Sequence, residues 1–220
     1  MAKELSIIIP AYNEAKIIGK TIDEIKAFCE KYYFDYEIIV VDDGSDDNTS
    51  EIILNKGAIL IRHENNKGKG YTMRSGLRYA RFKTILFLDA DLSVNIKELF
   101  KFNYLWLKSR QIIKGQRIQM ESQPIYRLFL GKIWKILVFL KIGIYKDTQC
   151  PFLILNGKLA KYCLEINIID GFAYDIGFIR QANKGRIPIT WVDVEYYNQK
   201  DSKVTFRKIV RMFLDLIKLK

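Results

Sequence analysis

Short apolar runs alternate with helical repeats through the first 90 residues of the chain. The runs LSIIIP, YEIIVV, GAILIR and TILFL have the length and the β-branched composition of buried strands. Between them, residues 13–31, 46–54 and 71–80 carry the apolar spacing or the capping residues typical of helices. Fully apolar strands joined by helices predict an α/β fold, in which helices flank a Rossmann-like, mostly parallel central sheet.

Polar and acidic residues follow three of these strands at the point where each strand ends. The first strand leads into PAYNE, the second into DDGS and the fourth into DADLS. Ligands of open α/β sheets bind just beyond the carboxyl ends of the strands. The pattern therefore predicts a polar ligand site along this edge of the sheet.

The fourth of these strands ends in two aspartates, Asp89 and Asp91, that are separated by one small residue. If the backbone leaves the strand here, both carboxylates can face one crevice and offer hard oxygen ligands to Mg²⁺ or Mn²⁺. A metal ion held in this way can bridge a diphosphate and stabilise it as it leaves. An isolated Asp-x-Asp is more often a solvated turn, but two further polar strand ends in the same unit favour the metal site.

Two other segments suit a nucleotide ligand. Asp42 and Asp43 can accept hydrogen bonds from a nucleobase or a ribose beside the tight turn that Gly44 allows, although an ordinary capped turn has the same residues. The loop NNKGKG places Lys67 and Lys69 among glycines, which suits a diphosphate and equally a flexible basic loop. There is no P-loop, and no G-x-G-x-x-G follows the first strand, which argues against a dinucleotide-dependent dehydrogenase.

The charge of the chain is divided unevenly between its two halves. Residues 1–100 hold 14 basic and 16 acidic residues, a net charge of −2, whereas residues 101–220 hold 22 and 9, a net charge of +13. A basic half points to a polyanionic partner, such as nucleic acid, an acidic membrane surface or a phosphorylated substrate. A solvated basic face is the plainer alternative.

Length and cysteine content set further limits. A chain of 220 residues is long enough for one domain with a real core. Three cysteines without metal-ligand spacing indicate reduced thiols in a cytosolic setting. We expect no secretory signal and no transmembrane helix, because no apolar stretch is long enough. The single histidine, His63, is expected to be structural or solvent-facing.

Two basic segments in the second half predict amphipathic helices that lie in a membrane surface. The first runs from Ile125 to Ile142 and the second from Val204 to Lys220. On a helix, the basic residues of each segment cluster on one arc and the apolar residues on the other. The alternative interpretations are a buried helix with surface lysines for the first segment and a dimerisation helix for the second.

The polar motifs, in their order and spacing, resemble those of family 2 glycosyltransferases with the GT-A fold. The segments that carry the resemblance are SIIIPAYNEAKII, EIIVVDDGSDDNT, NKGKGYTMRSGLRYA and ILFLDADLS. Later segments, KDTQCPFLIL, GFAYDIGFI and VEYYNQKDSKVT, resemble the branch that glycosylates polyprenyl and dolichyl phosphates. The segment DTQC is more similar to the glucosyltransferases of that branch than to its mannose synthases. The resemblance implies one domain over 1–220, with a nucleotide-sugar-binding half in 1–115 and an acceptor and membrane-facing half in 116–220.

The resemblance also implies roles for individual residues. The nucleotide-sugar site would contain Pro10, Ala11, Tyr12, Asn13, Glu14, Asp42, Lys67, Asp89, Ala90 and Asp91. The metal ligands would be Asp89 and Asp91, and the catalytic residues Asp89, Asp91, Arg117 and Asp175. The acceptor phosphate would meet Arg117, Arg127 and Lys203.

Three positions depart from the family pattern. Gly177 stands where the family has the glutamate of an Asp-x-Glu motif, and Pro151 stands where it has glycine. Ser93 follows the acidic pair where mannose synthases often have glutamine. These departures concern which sugar the enzyme would transfer and how the metal ion would be coordinated.

Together these observations predict an inverting glycosyltransferase that moves a sugar from a nucleotide-sugar to a polyprenyl or dolichyl phosphate. UDP-glucose is favoured as donor over GDP-mannose, and Mg²⁺ or Mn²⁺ is the expected cofactor. The expected location is the cytoplasmic face of a membrane, with a membrane subunit or a second copy as possible partners and no nucleic acid. The alternatives are a soluble family 2 enzyme acting on a glycan hydroxyl, a basic nucleic-acid-binding module and a non-catalytic sugar-nucleotide binder.

Overall fold

A seven-stranded sheet in the order β3-β2-β1-β4-β6-β5-β7 organises the chain. The computed structural model describes residues 4–32, 35–102, 111–119, 125–165, 169–197 and 206–218. The strands are β1 Glu4–Ala11, β2 Asp35–Asp42, β3 Ile59–Arg62, β4 Thr84–Phe87, β5 Ile112–Gln119, β6 Leu153–Asn156 and β7 Ile189–Tyr196. The helices are α1 Ile18–Tyr32, α2 Thr49–Asn55, α3 Lys69–Tyr79, α4 Ile125–Ile142, α5 Gly157–Glu165, α6 Tyr174–Lys184 and α7 Phe206–Lys218, with a 3-10 helix at Ile96–Phe102.

Helices cover both faces of the sheet, as the apolar strands require. On one face α1, α2 and the 3-10 helix pack against the alternate strand residues that include Ile7 and Ile9. On the other face α3, α4, α5, α6 and α7 pack against the set that includes Ile8 and Phe87. The side chains of a strand point to alternate faces, so each strand contributes to both apolar layers.

The first four strands are parallel neighbours, which confirms the α/β prediction for this part of the chain. Their carboxyl ends lie at one edge, where Ala11 pairs with Asp42 and Asp42 with Arg62. The strand β6 runs antiparallel to both of its neighbours, β4 and β5, and the sequence pattern did not predict this reversal. The fold is thus mostly parallel, with one reversed strand between the two halves of the sheet.

Both basic segments form helices, α4 and α7, that lie against each other. The rings of Trp134 and Phe213 meet edge to face with centroids 5.4 Å apart, and Lys141 Nζ lies 3.5 Å from the carbonyl oxygen of Ile217. Large apolar side chains remain exposed on both helices. We call the following set the apolar strip: Phe129, Ile136, Phe139, Leu140, Val210, Leu214 and Ile217. In the portion of the chain that is described, no helix has the length and apolar character to cross a membrane.

Candidate active site

The loop after β1 is fastened to the loop after β2 by hydrogen bonds between backbone and side chains. The backbone N–H of Asn13 donates to Ser45 Oγ at 2.8 Å, and Asn13 Oδ1 accepts from the N–H of Asp46 at 2.9 Å. The N–H of Glu14 donates to Thr49 Oγ1 at 2.8 Å. Asn13 has a φ of 54°, a left-handed conformation that asparagine tolerates better than most residues. The predicted donor residues of PAYNE therefore stand on a fixed turn at the carboxyl edge of the sheet.

Asp42 turns inward and braces the loop that follows β2. Its carboxylate is fully buried and accepts hydrogen bonds from the N–H and Oγ of Ser45, at 2.9 and 2.5 Å, and from Ser50 Oγ. A carboxylate with these partners keeps the turn rigid. Its predicted contact with a nucleobase stays a prediction.

Asp43 holds the basic loop through a buried histidine and two backbone groups. Its Oδ1 accepts from the N–H of Lys67 at 2.9 Å and lies 2.7 Å from His63 Nδ1, while its Oδ2 accepts from the N–H of Gly68 at 2.8 Å. The Nε2 of His63 lies 2.9 Å from Ser75 Oγ in α3. His63 is thus structural, which was one of the two expected alternatives, and it contacts the carboxylate of Asp43 that holds the loop NNKGKG.

Asp89 and Asp91 lie on the loop directly after β4, as the sequence predicts. Ser93 donates two hydrogen bonds to Asp91 Oδ1, from its N–H at 2.9 Å and from its Oγ at 2.5 Å. Leu92 has a φ of 47°, so the backbone turns sharply after the pair. Burial, followed by the charge of Asp89, raises the pKa of Asp91 above its ordinary value. Like-charge crowding of this kind is relieved by a bound cation.

A lysine from the basic loop region contacts the acidic pair. Lys69, the first residue of α3, places its Nζ 2.5 Å from Asp89 Oδ1. Burial alone lowers the pKa of Lys69, but the charges of Asp89, Asp175 and Asp91 outweigh it and raise the pKa. Lys67 lies over the ring of Tyr71, with its Nζ 4.8 Å from the ring centroid, and its role in the donor site stays a prediction.

The amino end of α3 is pressed against the segment before α6, and two glycines make this approach possible. A Cβ added to Gly68 would lie 2.6 Å from the carbonyl oxygen of Asp170, and one added to Gly70 would lie 2.6 Å from Tyr174 Cβ. The N–H of Gly70 donates to the carbonyl of Asp170 at 2.7 Å. This contact brings Lys69 and Asp175 into one site from distant parts of the sequence.

Asp175 lies in the first turn of α6 and is buried beside Lys114 of β5. The Nζ of Lys114 lies 3.1 Å from Asp175 Oδ1 and donates to the carbonyl of Cys150 at 2.8 Å. Burial raises the pKa of Asp175, while the charges of Lys114 and Lys69 act against the rise. The sequence prediction named Asp175 and missed Lys114, whose signal was a lone lysine within the apolar strand start IIKG.

Arg117 of β5 forms a two-point ion pair with Asp147. Its Nε lies 2.5 Å from Asp147 Oδ2 and its Nη2 lies 2.8 Å from Oδ1, and its guanidinium lies over the ring of Tyr196 at 5.1 Å from the centroid. Burial opposes the charge of Asp147, but the net pKa of Asp147 is lowered by Arg117. The Arg117 side chain as a whole is 30% exposed. Asp147 was not predicted.

The remaining predicted residues divide into those that the structure places and those outside its description. Pro10, Ala11 and Ala90 belong to the carboxyl edge of β1 and the loop after β4. The side chain of Arg127 and the whole of Lys203 lie outside the described residues.

The carboxylates of Asp89 and Asp91, which lie next to each other at the sheet edge, are suitable ligands for a hard divalent cation. Across the ranges described, no group of three or more histidine, cysteine, aspartate or glutamate side chains could hold an ion by itself. Two carboxylates suit Mg²⁺ or Mn²⁺, because these ions keep water and phosphate oxygens as further ligands.

Comparison with known proteins places this geometry in a family. The model described as glycosyl transferase family 2 matches residues 6–155. Dolichyl-phosphate beta-glucosyltransferase of Mus musculus is 32% identical over 240 residues, which cover 98% of this chain and 74% of that protein. An uncharacterized protein of Methanocaldococcus jannaschii is 32% identical over 233 residues, which cover 96% of both.

Solved structures share the fold at low identity. Glucosyl-3-phosphoglycerate synthase of Mycobacterium tuberculosis, in complex with Mn²⁺, uridine diphosphate and glucosyl-3-phosphoglycerate, superimposes with a TM-score of 0.74 at 18% identity over 98% of this chain and 77% of that one. Mannosyl-3-phosphoglycerate synthase of Rubrobacter xylanophilus gives 0.72 at 21% identity over 98% and 72%. With the family model matching more than half of its length, the chain belongs to glycosyl transferase family 2 and has the GT-A fold.

Proposed function

We propose that the protein transfers glucose from UDP-glucose to a polyprenyl or dolichyl phosphate, at the cytoplasmic face of a membrane. The observation that carries the proposal is the acidic pair beside Lys69 at the carboxyl edge of the sheet. The relative that supports it is a dolichyl-phosphate beta-glucosyltransferase that is 32% identical over 98% of this chain. In this proposal residues 1–115 bind the donor and residues 116–220 bind the acceptor and the membrane. GDP-mannose is the second donor to test.

The donor half supplies charge neutralisation for the departing nucleotide. Asp89 and Asp91 hold Mg²⁺ or Mn²⁺, which when bound stabilises the negative charge of the leaving diphosphate. Lys69 adds a second cation at the same place, since its ammonium already lies against Asp89. The fastened turn that carries Tyr12, Asn13 and Glu14 lines the nucleotide pocket, so the base and ribose meet a surface that is ordered in advance.

The acceptor half contributes by positioning the acceptor phosphate rather than by providing a strong base. A phosphate oxygen is already anionic at neutral pH, so the nucleophile needs little proton abstraction. Arg117 binds the acceptor phosphate, and its two-point contact with Asp147 holds the guanidinium in place. Arg127 and Lys203 join it in this proposal. Direct displacement inverts the anomeric carbon and gives a β-linked product.

The proposed contact with the membrane is made by the apolar strip of α4 and α7. Leu140 is 74% exposed and Ile217 is 71% exposed, and the adjacent lysines Lys132 and Lys141 can meet anionic headgroups. Exposed apolar groups next to cations are typical of helices that lie in a bilayer interface. Each basic residue near an anionic leaflet contributes about 1 kcal/mol.

A product assay tests the proposal. The protein is incubated with polyprenyl phosphate, Mn²⁺ or Mg²⁺ and a panel of nucleotide-sugars, and the lipid product is identified by mass and by the configuration of its sugar. We expect a β-glucosyl phospholipid from UDP-glucose and loss of at least about 100-fold in rate with Asp91→Asn. Asp23→Asn, which removes an exposed carboxylate paired with Lys56 on the surface, serves as the control.

One observation supports a second candidate, transfer to a glycan hydroxyl. That reaction needs a carboxylate base, and the candidate is Asp175, whose pKa is raised by burial. Free sugars and glycans therefore belong in the same acceptor panel. Products formed on them, with none on the lipid phosphate, would replace the first proposal by this one.

A further inference from the structure

Lys114 is a charged residue placed where an apolar one would be expected. It is completely buried, and its strand neighbours Ile112 and Ile113 are apolar and equally buried. An ionised side chain in such a place loses its hydration, and an ion pair seldom repays this loss better than apolar packing does. Stability therefore does not account for Lys114, and its contacts have to be considered for another role.

The backbone around Lys114 brings it to the level of the active-site edge. Lys114 pairs with Leu153 of β6, which pairs in turn with Phe87, the last residue of β4. The next residue, Gly115, allows the segment before β6 to approach closely, because an added Cβ would lie 2.7 Å from Cys150 Sγ. This approach delivers the Cys150 carbonyl to the ammonium of Lys114 at 2.8 Å.

Charges of alternating sign connect Lys114 to the acidic pair. Lys114 contacts Asp175 at 3.1 Å, and Lys69 contacts Asp89 at 2.5 Å. Between the two pairs, Lys69 Nζ lies 6.0 Å from the centroid of the ring of Tyr174, the residue before Asp175. Every member is at least half-buried, so these interactions are weakly screened by solvent. The row ends at the place where the diphosphate of a donor is proposed to bind.

We propose that Lys114 is a positioning residue for the donor diphosphate, because it holds the Asp175 carboxylate in the orientation that keeps Lys69 directed at the acidic pair. The inference rests on the proposed function only in taking the donor to be a uridine diphosphate sugar. Lys114 itself touches neither donor nor acceptor and acts through Asp175. Its loss should therefore weaken recognition of the diphosphate and leave recognition of the nucleoside intact.

The test compares UDP with uridine, which lacks the diphosphate. Binding of each to the full chain is measured with Mn²⁺ present, by calorimetry for UDP and by ligand-observed NMR for uridine. For Lys114→Met we expect the Kd of UDP to rise about tenfold and the Kd of uridine to change by less than about twofold. Lys158→Met is the matched control, since Lys158 is exposed and follows the end of β6 that pairs with Thr84 at the opposite edge of the sheet.

A double-mutant cycle separates positioning from a structural role. If Lys114 acts through Asp175, then Lys114→Met added to Asp175→Asn changes the Kd of UDP by less than about twofold. The double variant leaves neither charge of the Lys114–Asp175 pair without its partner, so it remains informative if Lys114→Met alone does not fold. The inference would be overturned if Lys114→Met weakened the binding of UDP and of uridine equally, or if the effects of Lys114→Met and Asp175→Asn on the Kd of UDP were independent. It would also be overturned if neither Lys114→Met nor the double variant folded.

The outcome can be told apart from failure of the proposed function. UDP binding requires no acceptor, so the cycle can support the role of Lys114 even if no lipid product forms in the acceptor panel. Conversely, a lipid product made equally well by wild type and Lys114→Met would keep the proposed function and remove this role.

Discussion

The ammonium of Lys69 lies 2.5 Å from Asp89 Oδ1, so a cation of the chain itself meets the acidic pair before any ligand arrives. A divalent ion that binds to Asp89 and Asp91 has to share these carboxylates with Lys69. A diphosphate gains from both cations. The same lysine should therefore oppose the binding of the metal alone and favour the binding of the nucleotide.

Replacing Lys69 should change the affinities for metal and nucleotide in opposite directions. In Lys69→Met, we expect the Kd of Mn²⁺ without nucleotide to fall about threefold or more, because the carboxylates lose a competing cation. The Kd of UDP in saturating Mn²⁺ should rise about tenfold, because the diphosphate loses a charge-assisted partner. Electron paramagnetic resonance of free Mn²⁺ gives the first value and calorimetry the second. A shift of both affinities in the same direction would contradict this account of Lys69.

Glu37 should make stability depend on pH without affecting activity. Its buried carboxylate accepts hydrogen bonds from Ser6 Oγ at 2.5 Å and from the N–H and Nε of Arg81 at 2.7 and 2.8 Å. Burial opposes these bonds, but they outweigh it, together with the charge of Arg81, and the pKa of Glu37 is lowered. Its stabilisation is therefore present above the pKa of the unfolded chain, near 4.3, and is lost as the pH falls through the folded value.

The matching variant is Glu37→Gln, measured by urea unfolding at several pH values. At pH 7 we expect the free energy of unfolding to fall by about 1–3 kcal/mol, since a charged acceptor of three hydrogen bonds is lost. The difference from wild type should shrink below about pH 4. Glu37 lies toward the amino end of β2, away from the ligand edge, so UDP binding at pH 7 should be unchanged. A difference that grows on acidification would exclude the charged role of Glu37.

Two glycines within helices should respond to alanine in opposite ways. In Gly70→Ala the new methyl group meets Tyr174 Cβ and the backbone of Ile169, so α3 has to move from the segment before α6. We expect a loss of about 1–3 kcal/mol in stability and weaker UDP binding, because Lys69 moves with the helix end. Gly131→Ala meets nothing within 4 Å and should stabilise α4 by up to about 1 kcal/mol. Thermal unfolding and calorimetry of the pair measure both effects.

The apolar strip should determine attachment to lipid vesicles. Leu140→Glu places a charge at a side chain that is 74% exposed, so the folded state changes little. Because burying a leucine is worth about 1.5–3 kcal/mol, we expect binding to vesicles of anionic phospholipid to weaken by about tenfold or more. Leu54→Glu, on the exposed side of α2, is the control. Equal retention of both variants on sedimented vesicles would remove the membrane role from α4.

The sequence predicts the sheet half that contains β1 to β4 because its information is local. Runs such as SIII and IIVV fix buried strands, and the helical repeats between them require parallel neighbours. The direction of β6 was not predictable in this way. The run LILN is apolar in either orientation, and only its pairing with Thr84–Phe87 and with Ile112–Lys114 decides that it runs backwards.

The sequence indicates where several candidate residues lie in the fold, but it does not indicate their partners. Asp89 and Asp91 lie at the predicted strand end, and Arg117 and Asp175 lie on β5 and α6 near the same edge. The partners Lys114 and Asp147 were missed, because each is defined by a contact across 30 residues or more. Asp147 stands in the DTQC segment that carries the resemblance, but nothing local indicates that its partner is Arg117. The charge of Lys114 within a strand is a signal that could have been used.

The reversed direction of β6 has a consequence for how the site acquires its parts. A strand that runs against its neighbours begins at the edge where they finish, so the chain leading into Leu153 arrives at the carboxyl ends of β4 and β5. Asp147 and Cys150 belong to this incoming segment and therefore lie at that edge. If β6 were parallel to its neighbours, the same residues would lie at the opposite edge of the sheet. Changing the length of the connection between α4 and β6 should therefore alter how Arg117 and Lys114 are held while leaving the donor turns untouched.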